Sequence, residues 1–416
     1  MILLEEARRF VLGSCAPMAP RHLALDEALG CVTGVAVVAT EPVPPFTNSS
    51  MDGYALRARD TRGAPVSLEV VGSIMAGHPP GATVGPGQAV RIMTGAPLPP
   101  GADAVVMIEE TRTLADGAGV SIEREARPGD FVRQAGRDVA VGDVIAPAGT
   151  VLTPAYLGVL ANQGLTSVVA HPHPRVGVLS TGDELFEGPG PLSPGKIRDA
   201  NRHTLLALAR REGWSCVNLG IVGDDEDALV DVLTRAAQRC DAIVTSGGVS
   251  VGDLDVVRIV LEKLSAGTMR WMQVAIRPAK PFAFGTLSGS GTPVFGLPGN
   301  PVSAMVSFEM FVRPALRLLG GHQILHRPMV SAVAEEDVHR HPDGKLHLLR
   351  ARVTLERRGA WRVTMADGQE SDQLQAMAGA NALAMVPDGT GASAGDQIDV
   401  LLIDPHHLGA SPEDPP

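Results

Sequence analysis

The chain of 416 residues carries 46 Asp and Glu against 35 Lys and Arg, so its formal net charge is −11. Such an acidic balance repels nucleic acid and anionic membranes, and the sequence therefore predicts neither as a partner. A chain of this length exceeds a single hydrophobic core and predicts two to four domains.

The cysteines and the N-terminus indicate the compartment. The four cysteines, Cys15, Cys31, Cys216 and Cys240, form no C-x-x-C pair, which is typical of buried thiols in a reducing environment. The N-terminal sequence MILLEEARRF carries acidic residues where a signal peptide would be apolar, and no apolar stretch is long enough to span a bilayer. We therefore expect a cytoplasmic protein.

The first 170 residues predict two small regions. Helical periodicity over residues 3–12 and near residues 23–29, followed by strand character at 31–40, predicts an N-terminal α+β region over 1–46, which residues 139–170 complete. Residues 47–138 are rich in Gly and Pro between short apolar runs and predict a small β-rich domain. Residues 153–165 predict a helix that Thr153 caps and that has Pro154 at its first position.

From residue 171 the pattern changes to α/β. Strand-like and helix-like runs alternate regularly as far as Gly320 and Gly321, which predicts an α/β domain over 171–321 with a mainly parallel sheet in a three-layer arrangement. Residues 322–416 return to β patterns and predict a C-terminal β domain of barrel-like type. The sequence thus predicts a multidomain chain that combines α/β and β-rich domains.

Two glycine-rich turns in the α/β region indicate a ligand site. Residues 241–255 and 293–304 each lead a buried-strand pattern into small residues and then into helical periodicity, and ligands of open α/β sheets lie beyond the carboxyl ends of the strands. Glycines let the backbone approach a ligand, and its N–H groups favour anions. Asn300 is predicted to cap the next helix, with Pro301 at its first position. The candidate residues for binding a phosphate-bearing or oxyanionic molecule are Ser246, Gly247, Gly248, Ser250, Gly252, Asp253, Pro298, Gly299, Asn300 and Pro301.

Carboxylates follow three of the predicted strands. A carboxylate beside a phosphate site is favourable mainly when a cation lies between them, so these positions indicate Mg²⁺-assisted chemistry. Two other interpretations stay open. In the first, Asp183 caps the next element and Glu184 lies at the solvated surface. In the second, the carboxylates of GDDED at 223–227 are favoured there by the dipole of a helix N-terminus. The candidate metal ligands are Asp183, Glu184, Asp224 and Asp255.

A basic pair lies in the proline-rich segment 276–282. Arg277 and Lys280 stand three positions apart among prolines, which fix the backbone and hold both side chains in a defined direction. We interpret the pair as an oxyanion clamp, in which Arg277 is bidentate and Lys280 acts as a point charge. The alternative is an ordinary solvated loop.

Eight motifs follow one another along the chain: SSMDGYA at 49–55, RIMTGAPLPPGADAVV at 91–106, GRDV at 136–139, STGDEL at 180–185, IRDAN at 197–201, TSGGVSVGD at 245–253, KPFAFG at 280–285 and LPGNPVSA at 297–304. In this order and at this spacing, the chain closely resembles the MoeA-type molybdopterin molybdenumtransferase family of molybdenum-cofactor biosynthesis, to which the C-terminal region of gephyrin is similar. The resemblance covers nearly the whole chain.

The resemblance implies a fold and a reaction. The family's fold is four domains in an elongated homodimer, and one of these domains is of the α/β molybdopterin-binding type. The implied reaction joins molybdate to the dithiolene of adenylylated molybdopterin, with loss of AMP and a requirement for Mg²⁺. The β-rich domain of one subunit is expected to face the α/β cleft of the other. Matched motif by motif, the resemblance implies functional roles for Asp52, Thr94, Arg133, Asp138, Glu184, Asp224, Asp255, Pro298, Pro301 and Ser371.

Three positions depart from the pattern of this family. Gln273 stands where the family often has a lysine, so a positive charge is lost there. Arg277 stands where a second lysine is common, and it keeps the charge. Ala279 replaces a common glycine, which predicts that this turn needs no positive φ. Lys280 matches the family and is the more secure basic residue.

Two alternative functions stay open. The first is adenylylation of molybdopterin by a lone α/β domain, and the additional N-terminal and C-terminal regions argue against it. The second is a binding scaffold that has kept the fold without the chemistry, and the carboxylates and Lys280 argue against that. The expected partners, besides the small-molecule substrates, are a second copy of the chain, the molybdopterin adenylyltransferase and downstream molybdoenzymes.

Overall fold

The computed structural model of the chain describes residues 1–114, 118–249, 256–356 and 359–404. They form two compact units. The smaller unit consists of residues 22–29 and 35–169, and the larger unit of residues 1–21, 30–34 and 170 onward. The four-domain division that the sequence predicts stays a prediction. None of the described helices combines the length and the hydropathy that a bilayer crossing requires.

The larger unit is built on a six-stranded sheet. Its strands, in chain order, are β1 (Arg175–Thr181), β2 (Ser215–Val222), β3 (Ala242–Ser246), β4 (Arg270–Gln273), β5 (Pro281–Thr286) and β6 (Pro293–Leu297). In space they follow the order β2-β1-β3-β6-β5-β4. The neighbouring strands β2, β1, β3 and β6 run parallel to one another, whereas β5 is antiparallel to both of its neighbours, β6 and β4. The predicted mainly parallel sheet is therefore confirmed, with antiparallel pairing at one edge.

Helices cover both faces of this sheet. They are α1 (Asn201–Arg211), α2 (Glu226–Ala237), α3 (Val256–Ser265) and α4 (Pro301–Ser307), and α4 continues through a π-helical segment, Phe308–Val312, into α5 (Arg313–Leu319). Successive residues of β3 face opposite sides: Ala242 and Val244 belong to the core shared with α1 and α4, and Ile243 to the core shared with α2 and α3. This alternation produces the three layers.

The N-terminal helix, Leu4–Gly13, confirms the helix that the sequence predicts over residues 3–12. Its buried residues, Leu4, Ala7 and Val11, recur at intervals of three and four. They pack into the same core as α1 and α4.

The C-terminal part of the larger unit forms a closed barrel. Its five described strands are Met329–Ala334, Leu346–Leu355, Trp361–Met365, Ala382–Val386 and Gln397–Leu402. The barrel closes because the long strand 346–355 pairs on both sides, with 361–365 and with 382–386. A short strand, Ile276–Arg277, pairs in parallel with Leu346 and His347 and joins the segment after β4 to the barrel. The predicted barrel-like domain is confirmed.

The smaller unit contains a second six-stranded sheet. Its strands are Gly53–Leu56, Val66–Ile74, Gln88–Ile92, Ala104–Met107, Thr111–Thr113 and Gly119–Ile122. The predicted helix near residue 153 is present as Pro154–Asn162, and Thr153 caps it by accepting a hydrogen bond from the backbone N–H of Tyr156 over 3.5 Å. The β-rich character of residues 47–138 is thus confirmed.

Several elements are short. They are the strands Arg21–Ala24, Val32–Thr33, Val37–Val38, Asn48–Ser49, Val132–Arg133, Val144–Ala146, Ser167–His171, Leu185–Phe186, Ile197–Arg198, Val338–His339 and Gly391–Ala392, and the helix Leu374–Ala378.

Two expectations about local structure differ from the fold. The helix expected near Leu23–Leu29 is wrong, because this segment is the strand Arg21–Ala24 followed by a 3-10 turn, Leu25–Glu27. Leu23 is buried between exposed neighbours, which is the period of a strand. Strand β5 has no counterpart among the predicted strands, because Phe282, Ala283 and Phe284 are all buried and show no alternation.

Candidate functional site

The carboxyl ends of β1, β3 and β6 lie side by side at one edge of the sheet. The register pairs Ser180 with Ser246, and Ser246 with Leu297. The backbone N–H of Gly247 donates a hydrogen bond to the carbonyl oxygen of Leu297 over 3.1 Å. The two glycine-rich turns that the sequence singles out are therefore adjacent, as parallel strands require.

Gly247 is a position where only glycine fits. Its φ is +97°, and a Cβ there would lie 2.6 Å from the carbonyl oxygen of Thr181. A side chain would force the turn away from β1 as well as strain the backbone. The tight approach of these two strand ends depends on that glycine.

A cavity of about 520 Å³ opens beyond these strand ends, and we call it the glycine cavity. Its volume is within the range of small-molecule sites. Seven of the predicted site residues line it, namely Glu184, Asp224, Gly247, Gly248, Pro298, Gly299 and Asn300. The structure thus brings together, from four segments of the sequence, seven of the ten described residues that were predicted to bind the anion or the metal.

The other predicted binding residues of this part of the chain fall into two groups. Ser250, Gly252, Asp253 and Asp255 fall outside the described residues. Asp183, Ser246 and Pro301 are described but are not part of the lining. Ser246 is 2% exposed, and Pro301 begins α4 as predicted. Ser246 and Pro301 thus belong to the strand end and the helix start beside the cavity and do not line it.

The acidic residues of the two loops have different tasks. Asp183 Oδ1 accepts a hydrogen bond from the backbone N–H of Asp224 over 3.0 Å, which joins the loop after β1 to the loop after β2. Asp225 caps α2, because its Oδ1 accepts from the N–H of Ala228 over 3.0 Å. The helix-capping interpretation therefore applies to Asp225, and Asp224 is left facing the cavity.

Glu184 and Asp224 are the two carboxylates that line the glycine cavity among its described residues. No three Asp, Glu, His or Cys side chains in the described ranges are grouped closely enough to hold a metal ion by themselves. Mg²⁺, however, is often bound by one or two carboxylates together with substrate phosphates and water. These two described carboxylates fit a Mg²⁺ ion that is shared with a phosphate-bearing substrate, and by themselves they are too few for an all-protein site.

Asn201 is a site residue that the sequence analysis left without a role. Its Nδ2 donates hydrogen bonds to Ser246 Oγ and to the carbonyl oxygen of Gly299, both over 2.7 Å. One amide thus ties the turn after β3 to the turn after β6. The motif IRDAN contains this residue, but only the tertiary structure identifies its partners.

A second cavity, of about 260 Å³, lies beside the first, and we call it the basic cavity. Pro281, Pro298 and Asn300 line both cavities. Its cationic groups are Arg277, Lys280 and Lys345, and its other polar lining residues include Ser303, Gln369, Glu370 and Ser371. The α/β part and the barrel of the larger unit therefore both contribute to it.

The three cations of the basic cavity are paired differently. Arg277 Nη2 lies 3.4 Å from the carboxylate of Glu370, in an exposed ion pair. Lys345 Nζ lies 2.7 Å from Asp343 Oδ2. Lys280 is exposed and makes no ion pair or hydrogen bond with its side chain inside the described ranges. The lysine retained from the family pattern is thus the cation that is ready for a ligand.

Two details of the surrounding turns contradict the sequence analysis. Asn300 occupies the N-cap position of α4, but its side chain makes no capping bond. It donates instead to Ser371 Oγ over 2.7 Å. Ala279 has a φ of +74°, so the prediction that this turn needs no positive φ is wrong. Its neighbours Pro278 and Lys280 bound a turn that ordinarily favours glycine.

The smaller unit contains a separate pair of predicted residues. Asp52 Oδ1 accepts hydrogen bonds from the backbone N–H of Thr94 over 2.7 Å and from its hydroxyl over 2.8 Å. These two bonds, together with the nearby positive charge of Arg91, hold the pKa of Asp52 below its ordinary value. The pair therefore presents an ionised, exposed carboxylate at neutral pH.

Arg133 and Asp138 also belong to the smaller unit. Arg133 ends the strand Val132–Arg133, which pairs with Asn48–Ser49, and Ser49 in turn bonds through its backbone to Gly95 and Ala96. Asp138 donates its backbone N–H to the carbonyl oxygen of Val43. Both residues are exposed, and no bond between described residues links their side chains to Asp52.

Models of known protein families match three stretches of the chain. Residues 2–164 match a model of the MoeA N-terminal region (domain I and II), residues 177–318 a probable molybdopterin binding domain, and residues 331–403 the MoeA C-terminal region (domain IV).

Similar proteins span the whole chain. A molybdopterin molybdenumtransferase 2 of Mycobacterium tuberculosis is 39% identical, covering 95% of this chain and 98% of the relative. A molybdopterin molybdenumtransferase of Haemophilus influenzae is 36% identical, covering 96% and 98%. The crystal structure of a molybdopterin biosynthesis MoeA protein from Pyrococcus horikoshii is similar with a TM-score of 0.78 at 27% identity, covering 97% of this chain and 100% of that one.

Proposed function

Because this chain belongs to the molybdopterin molybdenumtransferase family, we propose that it transfers molybdenum, supplied as molybdate, to adenylylated molybdopterin with release of AMP. The observation that carries the proposal is the pair of cavities that share Pro281, Pro298 and Asn300. One offers glycine backbone and carboxylates, and the other offers cations. A phosphate-bearing pterin and a tetrahedral oxyanion need two such sites side by side.

The glycine cavity suits the phosphates of the pterin substrate. Backbone N–H groups in the turn of Gly247 and Gly248 suit phosphate oxygens, because positive-φ turns expose such groups. Glu184 and Asp224 would hold Mg²⁺ together with those oxygens, and the ion would supply neutralisation of the phosphate charge when bound. Asn201 keeps the two turns at a fixed separation, so that the substrate meets a preformed wall.

The basic cavity suits molybdate. Lys280 offers an unpaired positive charge, and Arg277 offers a planar fork. The ion pair of Arg277 with Glu370 has side chains that are 52% and 67% exposed, so it contributes only about 0–1 kcal/mol and is readily exchanged for an anion. The net charge of −11 makes such local cations necessary for capture of a dianion.

We also propose that the protein acts as a homodimer in the cytoplasm. The resemblance to a dimeric family supports this, as does the presence of site residues in both units of the chain: Asp52, Thr94, Arg133 and Asp138 in the smaller unit, and Glu184 and Lys280 in the larger. The proposed partners are the molybdopterin adenylyltransferase, which makes the pterin substrate, and the molybdoenzymes that receive the product.

The test is direct assay of the full-length protein. Incubation with adenylylated molybdopterin, molybdate and Mg²⁺ should release AMP and yield cofactor that activates a molybdoenzyme apoprotein. Glu184→Gln should lower the rate by roughly 10²-fold or more with an unchanged melting temperature. The matched control is Asp227→Asn, an exposed carboxylate at the start of α2 that lines neither cavity. Absence of AMP release would refute the proposal, and pyrophosphate release from molybdopterin and ATP would favour an adenylyltransferase.

A further inference from the structure

A third cavity of the larger unit lies at the opposite edge of the sheet from the two cavities above. Its volume is about 960 Å³. It is bounded by the beginnings of β1, β2 and β6 and by the segment that leads from α2 into β3. We call it the arginine cavity, because Arg21, Arg175 and Arg239 line it. The proposed transfer reaction uses none of these residues.

Among the described residues that line this cavity, three arginines stand against one carboxylate. Asp241 is the single carboxylate among the described lining residues. Its Oδ2 accepts from the backbone N–H of Arg175 over 2.7 Å, and its own N–H donates to the carbonyl oxygen of Arg175 over 2.8 Å. Asp241 thus joins the start of β1 to the segment that enters β3. In the part of the chain that the structure describes, none of the three guanidinium groups makes a hydrogen bond or an ion pair.

A helix dipole accounts for only one of these three arginines. Arg239 follows the C-terminus of α2, where a cation is favourable, so its position has a purely structural explanation. Arg21 begins the strand Arg21–Ala24, and Arg175 begins β1, so neither belongs to the last turn of a helix. Three guanidinium groups around one cavity, none of them paired with a described residue, in a chain of net charge −11, are a feature of anion recognition.

The wall of the cavity is held in place. Met18 donates its backbone N–H to the carbonyl oxygen of Leu319 over 2.8 Å, and its own carbonyl oxygen lies 2.6 Å from Nδ1 of His171. These bonds fix the segment that carries Arg21. Neutral hydrogen-bonding side chains complete the lining, namely Ser215, Gln238, Ser290 and Thr292. The cavity is therefore a built feature with both charged and neutral donors.

We propose that the arginine cavity binds a small molecule that carries two or more phosphate groups. Each guanidinium group can donate two parallel hydrogen bonds to one phosphate group. Three guanidinium groups therefore match a ligand with several linked phosphates better than a ligand with one phosphate. The volume lies at the upper end of small-molecule sites, which leaves room for more than an inorganic anion. Inorganic pyrophosphate is the smallest ligand that tests this proposal. Two larger molecules carry the same linked phosphates, namely a nucleoside triphosphate and inorganic triphosphate.

Isothermal titration calorimetry on the full-length protein tests the proposal. Pyrophosphate should bind, and orthophosphate should bind at least tenfold more weakly. Arg175→Ala and Arg239→Ala should each weaken pyrophosphate binding by about tenfold or more, the effect of losing a charge-assisted contact. The matched control is Arg112→Ala, which removes one arginine whose side chain is 79% exposed in the smaller unit. Comparing ATP with inorganic triphosphate identifies which source is preferred.

The candidate active site also attracts anions, so the titration is repeated in Lys280→Ala protein. Pyrophosphate binding that persists in this variant and disappears on adding Arg175→Ala supports the arginine cavity as a separate site. Binding that is lost with Lys280→Ala alone, that is unchanged by both arginine variants, or that is equally tight for orthophosphate overturns the proposal. None of these outcomes depends on the transfer activity, so the two proposals fail independently.

Discussion

Asn300 and Ser371 are joined by a hydrogen bond of 2.7 Å, donated by Asn300 Nδ2 to Ser371 Oγ. A second contact runs alongside it, because the backbone N–H of Val302 donates to the carbonyl oxygen of Ser371 over 3.1 Å. Both side chains line the basic cavity. The turn after β6 and the segment that follows the barrel strand Trp361–Met365 are thus positioned together at that cavity.

We expect Asn300→Ala and Ser371→Ala to raise the molybdate concentration needed for half-maximal rate, each by about fivefold to tenfold. Each substitution removes a hydrogen bond worth about 1 kcal/mol, and the side chain that remains is no longer held in one orientation. In a double-mutant cycle the combined variant should lose less than the product of the single losses. Ser193→Ala, at an exposed serine outside both cavities, serves as control. Fully multiplicative losses would show that the bond does not couple the two residues.

Lys280→Ala should raise the half-maximal molybdate concentration by roughly 10- to 150-fold, as expected for a charge-assisted contact of about 1.5–3 kcal/mol. Binding of the adenylylated pterin should change less. Lys263→Ala, an exposed lysine on α3 that pairs with Glu226, is the control. Adding Gln273→Lys to the Lys280→Ala variant should recover part of the affinity if position 273 lies on the same anion path. An unaltered molybdate dependence in Lys280→Ala would place the oxyanion elsewhere.

Mixed dimers test whether the two units act in one reaction. Asp52→Ala and Glu184→Ala proteins should each be nearly inactive, since one removes the carboxylate bound by Thr94 and the other removes a carboxylate of the glycine cavity. After unfolding and refolding together, the mixture should regain a part of the activity, at most about one quarter of it, if each site draws on both subunits. Light scattering checks the dimer. A mixture as inactive as its parents would confine each site to a single chain.

Glu309 is expected to be a residue on which stability depends. It lies in the π-helical segment, its side chain is 1% exposed, and it accepts hydrogen bonds from Arg327 over 2.9 Å and from Arg211 over 3.1 Å. Glu309→Gln removes one of the two carboxylates, Glu309 and Glu212, that pair with the buried Arg327, and should lower the free energy of unfolding by about 3–5 kcal/mol. The midpoint of urea denaturation, followed by circular dichroism, measures it. Glu356→Gln, in an exposed pair with Arg362, should cost no more than about 1 kcal/mol.

His322 should make stability fall as the pH is lowered. Burial, followed by the positive charge of Arg317, lowers its pKa from 6.5 to about 4. Arg317 Nη2 lies 3.1 Å from Nδ1, which suits a neutral ring that accepts there. Between pH 6.5 and about 4 the unfolded chain binds a proton that the folded chain does not, so this contribution is complete above pH 6.5 and is lost progressively below it.

The His322→Asn variant isolates this effect. Between pH 7 and pH 5, the wild-type protein should lose up to about 2 kcal/mol more of its unfolding free energy than the variant, since each pKa unit corresponds to 1.36 kcal/mol. Because the same carboxylates titrate in both proteins, their contribution to the pH dependence drops out of the difference between the two. Identical pH profiles from urea denaturation would mean that His322 is protonated equally in the folded and unfolded states.

The sequence by itself determined the elements with local signals. Residues 171–321 alternate between strand and helix, which decides the parallel sheet, and the glycine turns at its strand ends decide which edge carries the site. Thr153 and Pro154 likewise define a helix start locally, because the capping hydroxyl and the fixed φ are properties of single residues. The family likeness rests on motifs of this local kind.

Only the tertiary structure decided which residues meet. Asn201 reaches two turns that are 45 and 98 residues away, and Asn300 bonds to a serine 71 residues away instead of capping its own helix. Ala279 adopts a positive φ in the turn between Ile276, which pairs with the barrel, and β5, although its residue type does not favour that conformation. Such outcomes depend on competition between partners far apart in sequence, and periodicity and propensity carry no information about that competition.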